Sequence, residues 1–206
     1  MKMIKGAKIP NPNLLKEEYE LHDTCIYANV DADRIVQILI DFVNMNDDMF
    51  LVLELPCTQE EEEQQMGDYT EEEKRLYEEK GTMQHFHKNI YYMDNLSQEK
   101  ALDIIKSYGD ILINDGYCYF GFGNRKFDEV SKTKYNMMLS YSKDEIEKYE
   151  EIFKKNGIAK TEKLYTAWDQ FSKENPGEST ILPETIDILE KLLKEKLYLA
   201  KTVIDK

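Results

Sequence analysis

Two stretches of this chain pass through the same periodicities in the same order, and that switch limits its fold more than any other feature. Cys25 to Val30 is rich in β-formers and stops at Asp31, whose short carboxylate suits the position just before a helix. Ile35, Leu39, Phe42 and Val43 then recur at helical spacing, with Val36 and Ile40 widening the stripe. Asn46-Asp47-Asp48 breaks the pattern, and Met49 to Leu55 is an apolar run short enough for a buried strand. The scheme returns with Ile90 to Met93 as a strand, Ser97 as an N-cap, and Ala101, Ile105, Tyr108 and Leu112 as a helix stripe. Asn114-Asp115-Gly116 leads into a strand from Tyr117 to Phe122. Gly109-Asp110 could end that helix early and make residues 110–114 a strand, but the apolar spacing survives across Gly109, so the continuous helix is preferred at a propensity cost of about 1 kcal/mol.

Two strand-helix-strand units in series predict an α+β fold. The order βαββαβ suggests a ferredoxin-like sheet, with the pattern of an internal duplication. Thr133 to Tyr141 reads as one added strand, with Tyr135, Met137, Leu139 and Tyr141 on one face. From residue 142 to 206 the chain reads as helical. Ser142 and Glu145 form a capping box, Ile146, Tyr149, Ile152 and Phe153 make an apolar stripe, and Gly157-Ile158 fits a left-handed C-terminal cap. Leu164, Trp168 and Phe171 suggest a shorter helix ended by Asn175-Pro176-Gly177. Pro183 opens a long amphipathic helix marked by Ile186, Leu189, Leu193, Ala200 and Ile204. These helices are expected to cover the sheet within a single domain of residues 1–206.

Charge narrows the functional classes. The net charge is −14, which removes the usual electrostatic source of nucleic-acid binding. A local exception, Arg125, Lys126, Lys132 and Lys134, is half offset by Asp128 and Glu129. Residues 58–81 hold ten acidic and three basic residues, half of the whole excess. The run Glu60-Glu61-Glu62-Glu63 should be a solvated, mobile loop, because adjacent like charges repel and bury nothing. Thr70 with Glu73 forms a capping box, Glu71 and Glu72 suit the positive end of a helix dipole, and Gly81 supplies a stop, so a short helix is predicted over 71–80. No apolar run approaches the ~20 residues that span a bilayer, and the first ten residues lack a signal-peptide core. Cys25, Cys57 and Cys118 are odd in number and widely spaced, as expected of reduced thiols in a cytoplasmic protein.

Chemistry is sparse. On a strand His85 and His87 would share a face, where two metal ligands could converge, and His22, Asp94 and Cys118 are the candidates for a third. Cys118 sits among aromatics that would raise its pKa, so it reads as a core residue. Gly121-Phe122-Gly123 lacks the third glycine and following helix of a phosphate loop, and reads as a bend or bulge in a sheet. Asp169 beside Trp168, with Glu178 beyond Asn175-Pro176-Gly177, is the carboxylate pair with the best claim to a recognition pocket. Neither a cofactor nor a metal is expected, and the reading inclines away from an enzyme.

Three functions fit this profile. The preferred one is an acidic inhibitor resembling bacterial immunity or antitoxin proteins in class and composition, which meets a basic protein through Glu60, Glu61, Glu62, Glu63, Glu71, Glu72, Glu73, Trp168 and Asp169. The alternatives are a small-molecule-binding domain or enzyme on the sheet, and a module that oligomerises through its C-terminal helix.

Overall fold

The computed structural model describes residues 1–80, 86–126, 128–172 and 174–204, leaving aside the side chains of residues 65, 66 and 77–80. The elements in chain order are β1 (Ala7–Lys8), β2 (Glu18–Leu21), β3 (Cys25–Asn29), α1 (Ala32–Asn44), β4 (Met49–Pro56), α2 (Gln59–Gln65), α3 (Glu71–Lys80), β5 (His87–Leu96) and α4 (Gln98–Asn114). There follow β6 (Tyr119–Asn124), β7 (Glu129–Lys134), β8 (Met137–Ser142), α5 (Ile146–Lys155), β9 (Ala159–Lys160), β10 (Glu178–Ser179), α6 (Pro183–Lys194) and β11 (Tyr198–Ile204).

The fold is mixed α+β. Nine strands form one sheet in the order β11-β5-β4-β6-β7-β8-β3-β2-β9, antiparallel throughout except for β2 beside β9, while β1 and β10 make a separate ribbon. Local signals produce the elements as expected. Asp31 accepts from the Asp33 amide to start α1, Ser97 accepts from the Lys100 amide to start α4, and α4 runs unbroken across Gly109 to Asn114. Ser142 Oγ accepts from the Glu145 amide ahead of α5. Gly157, at φ 68°, closes that helix with the buried Ile158 donating to the Phe153 carbonyl.

One face of the sheet carries the core. Leu51 and Leu53 of β4, Phe120 and Phe122 of β6 and Met138 of β8 meet Ile35, Leu39 and Phe42 of α1 and Ile104, Ile105 and Leu112 of α4, all buried in one cluster. The helices α1 and α4 lie side by side, α5 packs on α1 near β3 and β8, and α6 packs on α4. The other face, carrying Phe50, Val52 and Glu54 of β4, is crossed near β2 and β3 by a short segment. There the Leu164 amide donates to Glu20 at 2.8 Å and Asn29 donates to the Tyr165 carbonyl at 2.8 Å.

Four expectations change. A ferredoxin-like sheet would interleave β3 with β5 and β6; here β7 and β8 separate β3 from β6, and β4 lies between β5 and β6. The cause lies in Thr133 to Tyr141, which is a hairpin instead of one strand. Tyr135 and Asn136 take left-handed conformations, φ 52° and 63°, in the two-residue turn that joins β7 to β8. Asn136 is held there by its buried amide, which donates to the carbonyls of Lys2 at 2.9 Å and Val30 at 2.8 Å and accepts from the Ile4 amide at 2.8 Å. The long C-terminal helix stops at Lys194. Lys196 turns left-handed at φ 93°, the Leu197 amide donates to the Leu192 carbonyl at 2.9 Å, and the chain returns as β11 along the edge of β5. The helix expected around Trp168 is a single 3₁₀ turn, Ala167–Gln170. Among the described residues no helix is long and apolar enough to cross a membrane.

Gly121 and Gly123 lie inside β6 in regular register with β4 and β7, not at a bulge. A β-carbon at Gly121 would run into the Ser131 carbonyl oxygen and stand 2.5 Å from Lys132 Cα, and one at Gly123 would meet the Phe50 ring and the Glu129 carbonyl. Gly121→Ala is therefore expected to cost on the order of 1–3 kcal/mol, read as a lowered urea midpoint; an unchanged midpoint would mean that β6 and β7 part freely.

Candidate functional site

As far as residue 80 the acidic segment is a helical insertion, which corrects the expectation of a mobile loop at residues 60–63; the stop expected at Gly81 lies outside the described residues. Both of its helices start on capping boxes. The Glu61 amide donates to Thr58 Oγ1 and the Glu61 carboxylate accepts from the Thr58 amide at 2.7 Å; Thr70 and Glu73 repeat the arrangement, with the Thr70 amide 2.6 Å from the Glu73 carboxylate. The four consecutive glutamates then divide by helical phase. Glu60 and Glu63 face outward, as do Glu71 and Glu72 on α3, whereas Glu62 points inward and is fully buried.

Glu62 fastens the insertion to the start of β5. Its Oε1 accepts from the His87 amide at 2.5 Å, and its Oε2 accepts from the Tyr69 hydroxyl and lies 2.9 Å from His87 Nδ1. The Tyr69 and Phe86 rings pack around the imidazole. Burial pushes the Glu62 carboxyl up, but the hydrogen bonds from Tyr69, the His87 ring and the His87 amide outweigh it and hold the group below its ordinary 4.5. Glu61 supports the same junction, accepting from Asn89 at 2.9 Å, and Asn89 in turn accepts from Thr202 of β11 at 2.7 Å. Glu73 Oε1 lies 3.8 Å from His87 Nε2. Of the seven glutamates expected to meet a partner, Glu60, Glu63, Glu71 and Glu72 are exposed; Glu61 and Glu73 serve as caps, and Glu62 is internal.

The remaining candidates are dispersed. Trp168 is 40% exposed and packs edge-on against Tyr135 and Phe171, while the Asp169 carboxylate is taken up by the Thr166 amide and hydroxyl. Glu178 pairs with Lys8 at 2.6 Å across β10 and β1, so Asp169 and Glu178 do not act as an acid–base pair. His85 lies outside the described residues. His22 stands by Glu20, Asp94 is bound by Arg125 and Tyr198, and Cys118 is in the core; among the described residues no three metal-type ligands converge. Burial pushes the Cys57 thiol up to about 12 and the Cys118 thiol well above its usual value, which leaves both unreactive.

A second arrangement went unnoticed in the sequence. On the sheet face opposite the core, a cleft of about 370 Å³ is walled by Phe50, Tyr92, Arg125, Val130, Lys132 and Tyr141. Glu54, only 4% exposed, sits in it between Lys132 at 2.6 Å and Lys88 at 2.8 Å. Burial raises the Glu54 carboxyl, and the two ammonium groups more than reverse this and keep it ionised. The Arg125 guanidinium lies 4.6 Å from the Phe50 ring centre and 4.8 Å from that of Tyr92. Its Nε donates to Asp94 at 2.8 Å, and Asp94 also accepts from the Tyr198 hydroxyl at 2.5 Å. In the sequence Arg125 and Lys132 read only as local charge; the rings beside Arg125 come from β4 and β5 and share no local motif with it.

No protein-family model, curated protein or solved structure matches the chain.

Glu62→Gln is expected to destabilise the protein by about 1–3 kcal/mol at neutral pH, because a carboxylate that serves three hydrogen-bonding groups becomes a neutral amide. A carboxylate held below its ordinary value contributes stability above about pH 4.5, lost as pH falls through the lowered value. The gap between wild type and variant should thus narrow on acidification, as checked by urea midpoints at pH 7 and below pH 4. A gap that is constant with pH would show that the ionised form of Glu62 is not what holds the insertion.

Proposed function

We propose that this chain is a non-enzymatic binding protein of the inhibitor type, comparable in class to bacterial immunity and antitoxin proteins, and that α2 and α3 form the surface that meets a basic protein. The observation that carries this reading is the anchoring of the insertion: Glu62 and Glu61 fix it to β5 while Glu60, Glu63, Glu71 and Glu72 stay outside. A pre-ordered acidic surface loses little conformational entropy on association, and its field steers a cationic partner toward it. Glu62 belongs to this mechanism as the fastener and not as a contact. Glu61 and Glu73 set the helix starts and contribute charge without being the foremost groups.

The test is kinetic. A partner isolated from the native source with the immobilised chain should be basic, and its association rate should fall as salt rises. The variant Glu60→Gln/Glu63→Gln/Glu71→Gln/Glu72→Gln should slow association by about tenfold or more while leaving dissociation nearly unchanged, since exposed charges act mainly on the encounter. A partner that binds the variant at the wild-type rate, or one that is itself acidic, would sink the proposal.

A further inference from the structure

Resting on the reading of α2 and α3 as the partner surface, we infer that His87 is a proton-operated clasp for that surface: the doubly protonated imidazole ties both helices to β5, and the neutral ring releases its hold on α3. The two ring nitrogens meet carboxylates from different helices. Nδ1 stands 2.9 Å from Glu62 Oε2 of α2, and Nε2 stands 3.8 Å from Glu73 Oε1 of α3. His87 is 5% exposed and Glu62 is wholly buried, so water does little to screen or replace these contacts. Both carboxyls are ionised above about pH 4.5. Burial raises that of Glu62, but the bonds from Tyr69 and His87 hold it low, and the Thr70 hydroxyl and amide do the same for Glu73. Beside Nε2, a cavity of about 290 Å³ lined by Asp68, Glu73, His87 and Val203 leaves α3 room to shift.

An imidazole carries one proton or two. With two, each ring nitrogen presents an N–H to a carboxylate. With one, the proton belongs on Nδ1, because a bare lone pair 2.9 Å from the buried Glu62 carboxylate would be repelled by it. Nε2 then turns its lone pair toward Glu73. At 3.8 Å that contact is too long for a hydrogen bond, so its attraction depends on the charge of the ring and disappears with it. The tie to Glu62 survives in either form, whereas the tie to Glu73 exists in only one.

The other groups around the ring do not titrate near neutral pH. Glu62 comes from α2, with Glu61 next to it engaged by Asn89. Between the helices lie Asp68 and Tyr69, whose hydroxyl donates to Glu62 and stands 3.3 Å from Nδ1. Glu73 comes from α3, and β11 contributes Thr202, Val203 and Ile204, none of them ionisable. Cys57, just past β4, holds the His87 carbonyl through its amide at 2.8 Å, and burial pushes its thiol up to about 12. Lys88 is turned away, toward Glu54. Among these described groups the imidazole is the one whose type changes charge near neutrality. The sign follows from the contact: the hold on α3 is full while the ring carries both protons and is lost as pH rises. Because α3 carries Glu71 and Glu72, the partner surface is firm on the acid side and loose on the alkaline side.

The test uses the free chain and needs no partner. Ring nitrogen chemical shifts give the proton count of His87, and amide hydrogen exchange, corrected for its intrinsic pH dependence, gives the hold on α3. Between about pH 5.5 and about pH 8.5 His87 should pass from two ring protons to one, on Nδ1. Over the same range the amides of residues 74–80 should lose protection by about threefold or more, while those of β5 keep theirs. Glu73→Gln removes the charge and keeps the helix start, since glutamine serves at that position of a capping box, so its α3 should exchange equally at both pH values. His22→Gln and His85→Gln should leave the wild-type dependence intact. An unchanged proton count at His87, equal protection of α3 at both pH values, a dependence that persists in Glu73→Gln, or one that vanishes in His85→Gln would each overturn the inference. A basic partner indifferent to the acidic surface would instead sink the proposed function and leave these measurements as they stand.

Discussion

The close approach of β6 to its neighbours governs both faces of the sheet. Phe120 and Phe122 point into the core and are completely buried, so β6 must sit where their rings meet α1 and α4. The alternate residues, Gly121 and Gly123, face the other way, and their missing side chains let β4 and β7 close in around the strand. A strand that alternates large aromatic with nothing at all therefore anchors the helices on one side and, on the other, lets the Phe50 ring and Lys132 close over its backbone. The core and the tight seating of β4 and β7 against β6 are consequences of the same four residues, and loosening β6 would disturb both.

Buried carboxylates are the second organising element, and they change the meaning of the net charge. Besides Glu54 and Glu62, Glu150 accepts from Tyr19 and pairs with Lys154 and Lys160, and Glu129 gathers Tyr149, Lys148 and Ser142. Asp115 is fully buried and serves four donors. Its Oδ1 accepts from the amides of Tyr117 and Cys118, and its Oδ2 from the Leu182 amide and the Thr185 hydroxyl, which fixes the start of α6 to the entry of β6. Each such group costs desolvation and repays it only with every partner in place, so these ties specify position more than they add stability. Several of the chain's 41 acidic residues are thus structural, and the lysines that neutralise Glu54, Glu129 and Glu150 are committed along with them.

What could be read from the sequence divides along the range of the interaction. The caps at Asp31, Ser97, Thr70 and Ser142, the proline at the start of α6 and the glycine after α5 are decided within a few residues, and the structure places helices at each. Strand order was out of reach because it depends on pairings between distant segments. The turn at Tyr135-Asn136 also hid, since neither residue is glycine and the left-handed backbone is secured by contacts with Lys2, Ile4 and Val30. Ala200 and Ile204 continued a helical spacing by coincidence, and the reversal at Lys196 sent them into β11 instead. The inward turn of Glu62 was unreadable for a similar reason: its partner His87 lies 25 residues on, and only the phase of α2 selects it from a run of four glutamates. The cleft draws Phe50 from β4, Tyr92 from β5 and Arg125 from the turn after β6, so no local motif could announce it.

The proposed surface on α2 and α3 would owe its effect to the charge left outside once these internal ties are made. Its field reaches a cationic partner over distances comparable to the screening length of about 8–10 Å at physiological salt. Capture would lose that steering as salt rises, whereas the buried contacts of Glu62 with His87 and Tyr69, which hold the insertion in place, are screened far less. On the sheet face opposite the core the charges are already matched, Glu54 with Lys88 and Lys132 and Arg125 with Asp94. Ionic strength therefore acts on the encounter and leaves the scaffold that presents the surface in place.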